Sequence, residues 1–287
     1  MDLFLQVLVN GLMLGGIYAC VAVGFSLVWG VLNVINMLHG TMVILAGYLT
    51  YALWHKTGIH PLVALPAIAA LLFVFGYALQ AGALHRVIAQ PVLVTMTLTF
   101  GLDMILYNLL NFGFDATPRR ITLDFGRVVL GDLILPGDRL VAVLLAFLLT
   151  GFLYVVLRIS PIGRAIVAVR MDREAAALLG IDIHRVYAIT FGIGAAMAGA
   201  CGVLFSLTFP VTTSATGLIL GKAFVVCVIG GLGTVGGALF GGLVLGLVES
   251  LATQLIGPQD AVTIGFVLMV ILLMTRPAGL LGRAGYE

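Results

Sequence analysis

Residues 158–185 read RISPIGRAIVAVRMDREAAALLGIDIHR, the only well-charged stretch of the 287-residue chain that also reads as two short amphipathic helices. It holds five arginines and three acids. Ser160 before Pro161 is a helix start, because the hydroxyl accepts an orphan backbone N–H and proline suits the first helical position. That helix is predicted to run to about Arg170. Asp172 can cap a second one over Arg173–Leu179, where Ala175, Leu178 and Leu179 share a face and Gly180 supplies a left-handed end. Asp182 caps whatever follows. A solvated loop would account for the charge, but two capped turns with an exposed apolar stripe need something to cover the stripe. The segment therefore reads as a docking element.

Outside it, the chain is 62% hydrophobic and 9% charged, with a mean hydropathy of +1.21. A soluble globule carries about 25% charged residues, so this composition belongs to an integral membrane protein. The apolar runs are about 15–25 residues long, which suits helices crossing a hydrocarbon core of roughly 30 Å. A transmembrane barrel would instead show alternating segments of about ten residues. The expected fold is all-α: one polytopic transmembrane helical bundle over 1–287, with about eight or nine spans, some of them discontinuous. The first helix lacks a basic flank and a small-residue cleavage site, so it is expected to stay. Cys20, Cys201 and Cys227 fall in apolar runs without metal-ligand spacing, so neither a disulfide nor a metal site is expected. No basic tract points to nucleic acid.

Spans are expected at 5–28, 41–54, 61–84, 92–113, 138–157, 184–208 and 261–275, with a glycine-dense region at 217–247. Two stretches interrupt this pattern. Trp29–His39 carries Gly30, Asn33, Asn36 and His39, and the cluster Gly230, Gly231, Gly233 breaks helix continuity. Non-helical backbone at membrane depth is tolerated only against protein or beside water, so these breaks either pack or line a path. The interruptions at 30–39 and 210–235 could be equivalent points of two related halves. Residues 114–137, with runs ITLDF and VVLGDLILP, suggest two short strands and a hairpin.

The run GRAIVAVRMDREAAALLGI resembles the cytoplasmic coupling loop of ATP-binding cassette importer permeases, specifically the LivH-like subunits of bacterial branched-chain amino acid uptake systems. Residues 10–40, NGLMLGGIYACVAVGFSLVWGVLNVINMLHG, are similar to that family's amino-terminal signature, and RPAGLLGR to its carboxyl end. The resemblance covers nearly the whole chain. It implies a multi-pass protein of the bacterial inner membrane that translocates branched-chain amino acids, with urea, short amides or other amino acids as alternative cargo. It also implies partners: a second, related permease subunit, two cytoplasmic ATPase subunits holding ATP and magnesium, and an extracytoplasmic solute-binding protein in which most of the specificity is expected. No cofactor is expected in this chain. The residues expected to couple to the ATPase are Arg164, Arg170, Asp172, Arg173, Glu174, Ala175, Ala176, Leu179 and Gly180. If 158–185 is cytoplasmic, alternation puts eight Lys/Arg residues on its side, Arg86, Arg276 and Arg283 among them. The opposite side holds five: Lys56, Arg119, Arg120, Arg127 and Arg139. This is the positive-inside sense, with 114–137 extracytoplasmic.

Three charges lie within apolar runs. Lys222 could attract a substrate carboxylate, pair with Glu249 or Asp103, or snorkel to the interface. Glu249 and Asp103 need a partner or water, either between helices or along a path. The translocation path is expected to run past Asn33, Asn36, His39 and Gly40 on one break and past Lys222, Gly230, Gly231 and Gly233 on the other. No catalytic triad, HExxH or phosphate loop occurs in the required context, so the chain is expected to move solute without catalysis of its own. An ATPase-independent channel or a membrane-embedded enzyme is the alternative of a different class.

Overall fold

The computed structural model describes residues 2–115, 117–123, 125–131 and 133–282. Asp124, Arg283 and Glu287 lie outside the described residues. Eleven α-helices follow one another among them: α1 (Asp2–Leu32), α2 (His39–Thr57), α3 (Pro61–Gly82), α4 (Val92–Phe114), α5 (Gly137–Ile159), α6 (Pro161–Met171), α7 (Arg173–Leu178), α8 (Ile183–Thr208), α9 (Thr216–Gly230), α10 (Val235–Ile256) and α11 (Pro258–Thr275). Eight of the helical segments are long and apolar enough to cross a membrane. This is a multi-pass membrane protein, all-α apart from one small hairpin.

That hairpin pairs β1 (Arg127–Leu130) with β2 (Leu133–Pro136) in antiparallel register. Both strands come from VVLGDLILP and its leading arginine, whereas the described residues of ITLDF form no strand. The expectation of one strand from each run is corrected accordingly. Gly131 at φ 63° is free to make the sharp reversal, while Ile121 is drawn into the core. Gln6 of α1 exchanges two hydrogen bonds with the Ile134 backbone, at 3.0 and 2.9 Å, so the start of α1 lies at the hairpin end of the bundle. The α6–α7 pair lies at the other end. There His184, at the start of α8, stands edge-on to His85 just after α3.

The helices are arranged as two halves of opposite sense, α1–α4 and α8–α11, joined by the hairpin and α5–α7. Each half opens with a long helix, turns back as extended chain, restarts as a shorter helix and adds two more. α1 has 31 residues, about 46 Å at 1.5 Å per residue. At its end Asn33 adopts the left-handed conformation (φ 53°), which asparagine tolerates better than most residues. Residues 33–38 then run back along α1, so that His39 Nε2 meets the Val21 carbonyl at 2.8 Å. Val21 is eleven residues before Leu32, about 16 Å back into the bundle. The second half repeats this in reverse. After α8, residues 209–215 turn back, and α9 begins at Thr216 beside Gly40. α9 itself has 15 residues, about 22 Å, and reaches spanning length only with the turn Thr213–Ala215 that leads into it. Within the expected interruption 210–235, the non-helical stretch that follows a long helix and precedes a shorter one, as 33–38 does, is 209–215.

Matching seams hold each half to the other. Gly11, Gly15 and Ala19 of α1 meet the backbone of Gly242, Gly246 and Leu247 of α10, and Gly76 of α3 meets Gly192 and Ala195 of α8. Where lipid offers no hydrophobic gain for burying apolar surface between helices, close backbone approach through small residues maximises dispersion contact instead. Cys20, Cys201 and Cys227 are free thiols buried in this core.

Candidate functional site

Lys222 lies in the second turn of α9, on a continuous helix rather than in a break, and it faces α1 and α10. Its ammonium donates to Glu249 Oε2 of α10 at 2.8 Å and to the hydroxyl of Tyr18 in α1. The Tyr18 hydroxyl in turn donates to the same carboxylate oxygen at 2.7 Å. The ammonium also stands 4.4 Å from the centre of the Tyr18 ring. Lys222–Glu249 is the one ion pair among the described residues, with side chains 14% and 5% exposed. An unpaired lysine at the bilayer centre costs about 2.5–3.5 kcal/mol on insertion scales, which the pairing offsets. Gly265 of α11 makes room for the carboxylate: a Cβ there would come 3.3 Å from Glu249 Oε1.

Beside the ion pair is a cavity of about 140 Å³ between α1, the end of α8 and the start of α9. Its walls are Ile17, Tyr18, Val21, Phe205, Phe209, Ala215, Leu218, Ile219, Lys222 and Ala223. An apolar chamber with one charged cluster in its wall is the usual composition of a small-molecule site. Tyr18 was not among the sequence candidates. In a glycine- and alanine-rich helix nothing distinguished it from a packing aromatic until α9 and α10 brought both charges to its hydroxyl.

The other sequence candidates are placed as follows. Asn33 is exposed at the turn. Asn36 and His39 are buried; Asn36 Oδ1 accepts from the Leu38 N–H at 3.2 Å, and His39 Nε2 carries its proton toward Val21. Asn36 Nδ2 and His39 Nδ1 find no protein partner among the described residues. Gly40 sits against the Thr216 carbonyl and Leu220, where the amino-terminal ends of the two shorter helices cross. Gly230 ends α9 against Gly237 of α10, Gly231 packs on Ala278 and Gly282, and Gly233 packs on Gly30. Asp103 of α4 accepts from the Thr41 hydroxyl at 2.5 Å and makes no ion pair.

At the opposite end from the hairpin, the local chemistry of 158–185 is as its residues dictate. Ser160 Oγ accepts from Gly163 N–H, Asp172 Oδ1 from Glu174 and Ala175 N–H, and Asp182 Oδ1 from Arg185 N–H. Gly180 at φ 82° closes α7, with Gly180 N–H donating to the Ala177 carbonyl and Ile181 N–H to that of Ala176. Ala176 turns inward and is buried. Arg164, Arg170, Arg173, Glu174, Ala175 and Gly180 are exposed, and Leu178 and Leu179 are 90% and 81% exposed. Two neighbouring leucines this bare on a capped turn form an apolar tip that no described residue covers.

No solved structure matches the chain. Among curated proteins it is 32% identical to the high-affinity branched-chain amino acid transport system permease protein BraD of Pseudomonas aeruginosa, over 99% of this chain and 97% of that one. It is equally identical, over the same shares, to the permease protein LivH of the same kind of system in Salmonella typhimurium. A shorter match, 31% identical over 51% of this chain and 35% of the other, relates it to the permease protein LivM of Escherichia coli. With the family's own profile matching residues 7–275, the chain belongs to the family of permease components of branched-chain amino acid transport systems.

Proposed function

We propose that the chain is one of two permease subunits of an ATP-binding cassette importer in the bacterial inner membrane, carrying branched-chain amino acids inward. The α6–α7 end faces the cytoplasm in this reading, and the hairpin end faces an extracytoplasmic solute-binding protein. The observation that carries it is the bare Leu178–Leu179 tip on a turn held by three side-chain caps and a left-handed glycine. A solvated loop has no use for such rigidity. A groove on an ATPase subunit that moves during ATP hydrolysis needs it, because a stiff lever transmits displacement to α5 and α8.

The exposed residues Arg164, Arg170, Arg173, Glu174, Ala175 and Leu179 form the ATPase contact in this reading, Asp172 and Gly180 set its shape, and Ala176 anchors it to the bundle. ATP and magnesium belong to the partner subunits, and this chain supplies no catalytic group. The LivM similarity supports a related second permease. The test is co-purification of the tagged chain with its ATPases from a strain expressing the whole system. Leu178→Glu with Leu179→Glu, or Arg173→Glu alone, is expected to release the ATPases and abolish uptake while the chain still inserts. Full retention of ATPase and of uptake in both variants would remove the docking assignment.

A further inference from the structure

We infer that the chamber beside Lys222 is a substrate site and a size filter within the permease, taking the charged end of an amino acid at Lys222 and its aliphatic side chain among Ile17, Val21, Ile219 and Ala223. The inference rests on the transport reading above and deepens it, since the cavity lies between α1, the end of α8 and the start of α9, directly after the 209–215 turn-back.

The electrostatics point to the chemical class. Lys222 and Glu249 together carry no net charge, and of the pair only Lys222 lines the chamber, with the carboxylate held behind it. A zwitterion brings one group of each sign and no net charge of its own. A glutamate- or lysine-like solute would bring an uncompensated charge into the same chamber. Lys222 has donors beyond the two its partners use, and a third can meet a carboxylate. Tyr18 and Glu249 hold its head in place, which makes them positioning residues.

The chamber's size and lining narrow the class further. A dry apolar cavity of ~150 Å³ accepts one benzene-sized group, so about 140 Å³ has room for a branched side chain of three or four carbons. Phe205 and Phe209 close one wall and Leu218, half-exposed, another. Urea and short amides have nothing to place against these walls, and a two-ring aromatic side chain is too large. Selection in the membrane therefore adds to selection by the binding protein.

The test uses the complete importer in proteoliposomes. Leu218→Trp narrows the chamber from its open side, where the fold has room for a larger ring, and is expected to raise KM for leucine at least tenfold and that for valine less. The charge swap Lys222→Glu with Glu249→Lys keeps an ion pair between α9 and α10. It is expected to assemble with near wild-type thermal stability and to lose uptake more than a hundredfold, because the acid now faces the substrate carboxylate. If the swapped variant takes up substrate normally, the pair is a helix fastener and the inference falls. If it does not assemble, Leu218→Trp decides alone, and equal fold-changes in KM for leucine and valine in that variant would overturn the filter. A wild-type complex that moves no aliphatic amino acid would instead sink the transport reading, and the inference with it.

Discussion

The two turn-backs of this fold, 33–38 and 209–215, each follow a long helix and precede a shorter one, yet they are built from different chemistry. Past the exposed Asn33 the first one packs inward: Val34, Asn36 and Leu38 are each 1% exposed, and His39 is tied to α1 through Val21. Residues 209–215 instead open onto the chamber, with Phe209 and Ala215 in its wall and Lys222 two turns further along. The backbone of a half-helix break is a requirement of the repeat, whereas a site is a property of the side chains around one copy of it. In the first half the matching polar link is Thr41 to Asp103, a neutral donor on a single carboxylate. In the second it is a closed cluster of ammonium, carboxylate and phenol.

The seams that both halves share should be indifferent to this contrast and carry the largest effects. A side chain at Gly15 would collide with the α10 backbone at Gly242, and one at Gly76 with Ala195 of α8. Gly15→Leu and Gly76→Leu are each expected to abolish accumulation of the folded subunit in the membrane, read by fluorescence-detected size exclusion. If one were tolerated and the other not, the two halves would not be equivalent in packing.

Next in size are the intramembrane charges, where the halves should part. Lys222→Met strands a buried carboxylate, and breaking a buried pair on one side costs about 3–5 kcal/mol. Lys222→Met with Glu249→Leu is expected to recover most of that loss, since two apolar groups need no partner. Asp103→Asn keeps a group that Thr41 can still bond, and a neutral hydrogen bond is worth about 1 kcal/mol. Thermal unfolding of the purified subunit ranks the three. Equal losses for Lys222→Met and Asp103→Asn would erase the distinction between the two breaks.

How far this could be read from the residues depends on how local the deciding physics is. Ser160, Asp172, Gly180 and Asp182 act within three residues of themselves, so the caps of the charged loop were legible down to the atom that accepts. Span positions followed from hydropathy, which is also local. The hairpin sits one run later than the sequence suggests, because alternation in ITLDF reads as a strand of its own while the reversal occurs at Gly131, inside VVLGDLILP. Lys222 was assigned to a break because glycines crowd the region around it, yet those glycines serve contacts with α10 and the tail, thirty or more residues away for Gly231 and Gly282. Its choice of Glu249 over Asp103, and the involvement of Tyr18, depend on which helix lies beside which. That is a product of the inverted repeat, and hydropathy carries no trace of it.

The smallest effect expected is at Asn33, and it tests whether the first break conducts or only turns. Asn33 is exposed and has φ 53°, a left-handed conformation that asparagine visits readily and β-branched residues visit only with strain. If its task is to reverse the chain, Asn33→Gly keeps the conformation without penalty and should leave stability within about 0.5 kcal/mol and uptake unchanged. Asn33→Val should cost roughly 1–2 kcal/mol in thermal stability, the strain of forcing a branched side chain into that region. A conducting role predicts the opposite ranking in uptake, since glycine removes the amide that would meet the solute. Measuring leucine uptake and melting temperature for both variants separates the two: loss of uptake in Asn33→Gly at normal stability would make the first break part of the path and the two halves alike in function as well as in trace.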